Sequence, residues 1–175
     1  MSDTKFCSYC GAPLINKNIQ GIERLACSTD TCEYVFWDNP LPVLTAIIEH
    51  EGNILLARNK AWPEKMFGLI TGFLEKGETP EQGLAREVKE ETGLESQSMD
   101  FVGLYPFLQR NQILIAYHVV ATGTICMGDE LAEIKPVPYH KLKPWSFGTG
   151  LALQDWLSTK KESGGGAPGD QDHTA

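Results

Sequence analysis

No run of apolar residues in this chain approaches the roughly 18–20 that a membrane span needs. Nor does an apolar segment near the N-terminus have the character of a secretory signal. A reducing, cytoplasmic compartment is therefore expected, with no membrane partner. Basic residues are also scarce: 15 Lys and Arg stand against 23 Asp and Glu in 175 residues, for a net charge of -8. Phosphate contacts need clustered Lys and Arg, so a general nucleic-acid binder is not expected. An acidic protein can still take a polyanion if a metal ion is recruited first. No internal repeat marks a solenoid. The length suits one domain with a proper core and a small appendage.

What is present centres on Gly72 to Leu94, GFLEKGETPEQGLAREVKEETGL. Thr79 is a good helix N-cap. Pro80 follows at the first helical position, and Gln82 lies where a capping box wants a glutamine. Gly93 suits the left-handed residue that ends a helix. Residues three and four apart share a helix face, so Glu87, Glu90 and Glu91 fall in one arc, with Leu84 and Val88 on a neighbouring apolar stripe. Like charges at that spacing cost about 0.2–0.5 kcal/mol per pair. A solvated acidic face is one reading. A hard divalent cation with oxygen ligands would reverse the sign, and Mg²⁺ is the usual choice beside a phosphate.

The spacing argues for the second reading. Gly72, five residues, Glu78, seven residues, Arg86-Glu87-Val88, one residue, Glu90-Glu91, one residue and Gly93-Leu94 resemble the Nudix box at every defined position. The resemblance implies an α/β/α sandwich with a mixed sheet. It also implies Mg²⁺-dependent (or Mn²⁺-dependent) cleavage of a nucleoside diphosphate linked to another moiety. Glu87 and Glu91 become metal ligands, Glu90 a ligand or general base, and the backbone carbonyl of Thr71 a further metal contact. Gly72, Glu78, Arg86 and Gly93 become structural parts of the box. An Arg86–Glu90 pair at i, i+4 would hold that carboxylate in place.

Residues 1–36 carry four of the five cysteines, Cys7, Cys10, Cys27 and Cys32. Gaps of two and four residues within the pairs are in the range of structural zinc sites. Gly11 would let the chain turn around a metal. So short a segment builds no core of its own, and Zn²⁺ would supply its folding energy. Two disulfides, the choice of a secreted chain, and four unrelated thiols are the alternatives. The ribbon is expected over 1–36, a proline-bearing linker over 37–42, the main domain over 43–162 and a disordered, glycine-rich tail over 163–175.

Within the main domain, strands are expected at Val43–Glu49, Ile54–Arg58, Gly68–Thr71, Met99–Leu104, Gln112–Ala121 and Ile134–Tyr139. The last is an edge strand because of Pro136 and Pro138. Gly148 or Thr149 opens the final helix. Trp62 reads as a packed loop residue or a substrate contact. His118 reads as a satisfied core histidine, with catalysis the alternative. Cys126 reads as a small apolar core residue.

Four cysteines ahead of the box resemble the NADH pyrophosphatase group of the family, over about residues 7–160. By that resemblance Glu130 matches an additional metal ligand. Gly148 and Thr149 match a loop beside the substrate. Phe73 matches an aromatic that stacks on a ring of the dinucleotide; core packing is its other reading. The group carries S-Q-P-W-P-F-P-x-S after the box, where this chain has Leu104-Tyr105-Pro106-Phe107-Leu108-Gln109-Arg110-Asn111-Gln112. ADP-ribose and FAD therefore stand beside NAD(H) as implied substrates, and a homodimer is implied by resemblance only. A nucleotide sensor, or a module that docks a protein partner or RNA through its zinc ribbon, without turnover, is the other class of function, and a nucleoside triphosphate hydrolase a third reading.

Overall fold

Near-continuous apolar runs such as Val43–Ile48 belong to strands buried on both faces, and the structure, a computed structural model describing residues 5–163, is built on that principle. The expected tail lies, past Ser163, outside the described residues. The chain divides into two compact units, Met1–Pro40 and Leu41–Ala175.

In the first unit, β1 (Leu14–Ile19), β2 (Ile22–Cys27) and β3 (Val35–Phe36) form a small antiparallel sheet. The β1–β2 turn has Gln20 and Gly21 at φ 54 and 85, the geometry of a tight hairpin. Cys7 and Cys10 precede the sheet, Cys27 ends β2, and Cys32 lies in the connection to β3.

In the second unit, β4 (Leu41–His50) is central. It pairs in parallel with β8 (Gln112–Thr122) and antiparallel with both β5 (Asn53–Asn59) and β6 (Ile70–Phe73). The edge strands are β7 (Glu95–Phe107), beside β8, and β9 (Leu131–Pro138), beside β5. The sheet is therefore mixed. Helix α1 (Pro80–Thr92) packs on one face, where Leu84 and Val88 meet Leu44, Ala46, Ile48 and Val119. Helix α2 (Gly150–Ser163) covers the other, where Leu153 and Trp156 meet Ile47 and Ile54, and Ala152 meets Val43 and Leu114. Successive β4 residues serve opposite layers, which is why the strand is apolar throughout.

Some boundaries move. Leu41 and Pro42, expected in the linker, are the first residues of β4. The Leu41 N–H donates to Asn111 O at 2.9 Å and the Pro42 carbonyl accepts from Leu74, so the proline forfeits only one donor at a strand start. β6 begins two residues later than expected and runs into the box. β7 takes in the polar Glu95–Ser98, because backbone pairing with β8 does not require apolar side chains. Cys126 is exposed, not in the core: it lies in the loop after β8, and its N–H donates to Thr92 O at the end of α1.

Candidate active site

The site begins with the stop and start signals of α1. Thr79 accepts from the Gln82 N–H at 3.3 Å, and the Gln82 side chain accepts from the Thr79 N–H at 2.9 Å, closing the capping box. Gly93, at φ 73, donates to Lys89 O and ends the helix. With Leu84 and Val88 fully buried, the helix has one rotational setting, and Glu87, Glu90 and Glu91 face a cleft of about 640 Å³.

Two glycines let other chain segments approach. A Cβ on Gly72 would sit 1.9 Å from the Glu87 carboxyl carbon, so only glycine lets that side chain lie across the β6 backbone. Gly83, a glycine inside α1 that no sequence motif marks as a site residue, packs where a Cβ would meet Leu44 Cδ1 and Glu78 Oε2, both at 2.7 Å. The signal was available: a glycine inside a helix costs about 1 kcal/mol against alanine and needs a reason.

Arg86 ties the box together. Its Nε and Nη2 donate to the two Glu78 oxygens at 2.7 and 3.1 Å, and its Nη1 donates to Glu87 Oε1 at 2.7 Å and Glu90 Oε2 at 3.2 Å. Nη2 also reaches the Phe73 carbonyl. The i, i+4 pair is thus present, inside a larger network. Arg86 holds the Glu78 carboxyl below the usual range. Glu87 moves the other way, raised by burial against the pull of Arg86. Glu91 has no such counterion. Burial first, then the charges of Glu87, Glu130 and Glu90, push it up to about 7.

Glu130 arrives from far along the chain. The loop after β8 is pinned to the last turn of α1, where the Gly128 N–H donates to Glu91 O at 2.9 Å beside the Cys126–Thr92 bond. A Cβ on Gly128 would lie 2.6 Å from Glu90 O. Glu130 thereby joins the three box glutamates on the cleft wall, with Thr71, Gly72 and Phe73 alongside. Phe73 is 55 % exposed, which excludes core packing. Gly148 and Thr149 do not touch this part. They line an adjoining compartment of about 390 Å³ with Phe107, Trp145, Phe147 and Lys65. Trp62, Thr71, Arg110 and Gln112 line both compartments, so the two are continuous.

His118 is buried on the α2 side, hydrogen-bonded to Glu49 at 2.8 Å and set against Trp156, away from the glutamates. Arg110 and Gln112 were not singled out from the sequence. They reach the cleft because Asn111, left-handed at φ 50, turns the chain from β7 into β8.

In the first unit the four cysteine sulfurs lie within 4.8 Å of one another. Cys7 and Cys32 are 3.7 Å apart and Cys10 and Cys27 3.4 Å. A tetrahedral zinc with four thiolates would set its sulfurs about 3.8 Å apart. Backbone N–H groups of Tyr9 and Thr29 point at Cys7 and Cys27. The Thr29 N–H pulls Cys27 down to about 7. Cys32, against the lowering contact of the Tyr34 N–H, is held up to about 12 by burial and the neighbouring thiols. Among the described residues no other group of His, Cys, Asp or Glu ligand atoms converges so closely. The box carboxylates are more widely spread, with Glu87 and Glu90 drawn toward Arg86.

The NUDIX domain family model matches residues 39–154. Among similar proteins are the NAD-capped RNA hydrolases NudC of Vibrio atlanticus, 31 % identical over 113 residues, and of Pseudomonas putida, 28 % over 150. These alignments take in 65 % and 85 % of this chain and 40 % and 53 % of the relatives. The human mitochondrial NAD(P)H pyrophosphatase NUDT13 is 29 % identical over 133 residues, 75 % of this chain and 37 % of that protein. The chain thus spans about half the length of these relatives or less. A NUDIX hydrolase from Nitrosomonas europaea superposes with a TM-score of 0.74 at 23 % identity, over 91 % of this chain and 93 % of that one. An ADP-ribose pyrophosphatase from Streptococcus suis does so at 0.58 and 19 %, over 70 % and 93 %. The two structures speak for the fold alone. With the box in place on α1 and the family model matching most of the chain, this protein belongs to the Nudix hydrolase family.

Proposed function

We propose that the chain is a Mg²⁺-dependent pyrophosphohydrolase that cleaves the diphosphate of a nucleoside diphosphate derivative such as NAD(H) or ADP-ribose. One observation carries the reading: Glu87, Glu90, Glu91 and Glu130 share the wall of a cleft that continues into an aromatic compartment. Four carboxylates are hard oxygen donors, and the high proton affinity of Glu91 marks a negative charge without a partner. That chemistry fits Mg²⁺ or Mn²⁺. Glu87, Glu91, Glu130 and the Thr71 carbonyl would hold the ion. When bound, it neutralises diphosphate charge and acidifies water.

The residues of the chain divide the remaining work. Arg86 fixes Glu90 through one oxygen, and the other can accept the proton of the attacking water or serve as a further ligand. Phe73 and the aromatic compartment offer faces for a base or nicotinamide ring. Glu78 and Gly93 keep the loop and helix in register and take no part in the chemistry. In the first unit, Cys7, Cys10, Cys27 and Cys32 would hold a structural Zn²⁺, because four thiolates leave no open coordination position. The relatives' names favour a dinucleotide or a dinucleotide-capped RNA, and the net charge of -8 favours the small molecule.

A panel of NAD(H), ADP-ribose, FAD, nucleoside triphosphates and NAD-capped RNA, with products identified, tests the proposal. Cleavage between the two phosphates, abolished by EDTA and reduced about 100-fold or more by Glu91→Gln, is the expected result. Binding of a nucleotide with Mg²⁺ but without products would make the protein a sensor. Release of pyrophosphate from triphosphates would make it a nucleotide-sanitising enzyme.

A further inference from the structure

Five acidic residues, Glu87, Glu90, Glu91, Asp129 and Glu130, line a cleft proposed to take an anion, so the cations on its walls decide what can stay there. Arg86 is not available: Glu78, Glu87, Glu90 and the Phe73 carbonyl engage its guanidinium. Among the described residues, one cationic side chain lines the larger compartment, Arg110. Its guanidinium makes no hydrogen bond, ion pair or ring contact with another described residue.

Arg110 is also well held at its root. The short helical turn Leu108–Arg110 closes through the Asn111 N–H to Leu108 O, and Asn111 O accepts from the Leu41 N–H. The next residue, Gln112, pairs with Leu41 at the head of the parallel β4–β8 ladder. The side chain therefore starts from the rigid end of the central strands, where the acidic and aromatic compartments meet. A ligand with its ring among Phe107, Trp145 and Phe147 and a phosphate among the glutamates must carry its other phosphate past this point.

We propose that Arg110 is a specificity-determining residue that grips the phosphate not attacked by water, and so selects ligands with two linked phosphates. The inference rests on reading the cleft as a diphosphate site. A guanidinium presents a planar fork to phosphate oxygens that an ammonium does not reproduce.

The test uses the full chain with Mg²⁺ and two probes, α,β-methylene-ADP, which cannot be hydrolysed between its phosphates, and adenosine, which has none. Arg110→Ala should weaken methylene-ADP about ten-fold or more and adenosine less than about two-fold, with Arg110→Lys in between. On the substrate cleaved best, KM should rise by a similar factor while kcat stays within about three-fold. Methylene-ADP affinity unchanged in Arg110→Ala overturns the proposal, as does a fall in kcat at constant KM. The two readings fail separately. A wild-type protein that binds methylene-ADP through Arg110 and cleaves nothing sinks the hydrolase. One that cleaves equally well with or without Arg110 sinks this inference alone.

Discussion

Glu91 shows most plainly what the site costs the fold. Its carboxyl is pushed up to about 7 from an ordinary 4.5, by burial first and by three neighbouring carboxylates second. Its contribution to stability is fully present below pH 4.5. It is lost as the pH rises through about 7, because the unfolded chain gives up a proton that the folded one retains. Without divalent cations, Glu91→Gln should therefore gain stability over the parent between pH 5 and 7.5, by about 1–2 kcal/mol after discounting for partial exposure. Urea denaturation in EDTA at the two pH values measures this. A difference independent of pH would mean that the crowding of charge is not felt. The same substitution that removes activity should thus stabilise the metal-free fold, the trade expected where like charges are held for a ligand.

At the scale of elements, α1 is legible from sequence because its signals are local. Thr79, Pro80, Gln82 and Gly93 act within a turn of the residues they cap, and all four sit as their types require. The Thr79→Ala variant should lose about 1 kcal/mol. Gly83→Ala separates propensity from packing. Helix propensity alone favours alanine by about 1 kcal/mol, yet the added Cβ meets Leu44 and Glu78 at 2.7 Å. We expect a net loss of about 1–3 kcal/mol, read as a lower midpoint in thermal or chemical unfolding; a rise would show that Leu44 moves aside freely. Gly128→Ala tests the loop that brings Glu130. Its Cβ would press on Glu90 O, so the loop must lift and Glu130 with it. Activity should then need about ten-fold more Mg²⁺ for half-saturation, with the unfolding midpoint little changed. An unaltered Mg²⁺ requirement would detach Glu130 from the metal.

On the scale of the whole molecule, the two units solve the problem of stability differently. Residues 41–163 bury apolar layers on both faces of the sheet. The smaller unit has few buried side chains, chiefly Cys7, Ala26 and Cys27, and its four sulfurs already converge. Elemental analysis should find one zinc per chain. Its removal by a strong chelator should abolish amide-exchange protection in β1 and β2 while β4 and β8 keep theirs. Protection of β1 and β2 surviving complete metal loss would refute a folding role for zinc.

Features whose cause and effect lie near one another in the chain are legible in the sequence, and those whose causes lie far apart are not. The apolar run of β4 and the edge position of β9 follow from period and proline placement. The start of β4 at Leu41 and the length of β7 depend on pairing with β8, about 70 and 25 residues away, and composition does not carry it. Cys126 was misplaced for the same reason, since a small apolar residue type does not reveal a loop tied by its backbone to the end of α1.

By itself, then, the sequence determined the family, the capped helix with its three glutamates and the four-cysteine segment, because each is written in spacings of a few residues. Only the tertiary structure decided that Gly72 yields its space to Glu87, that the loop carrying Glu130 is tied by its backbone to the end of α1, and that Arg110 lines the same cleft. Those juxtapositions depend on which strands pair and on what the backbone can approach, and both are properties of the folded chain.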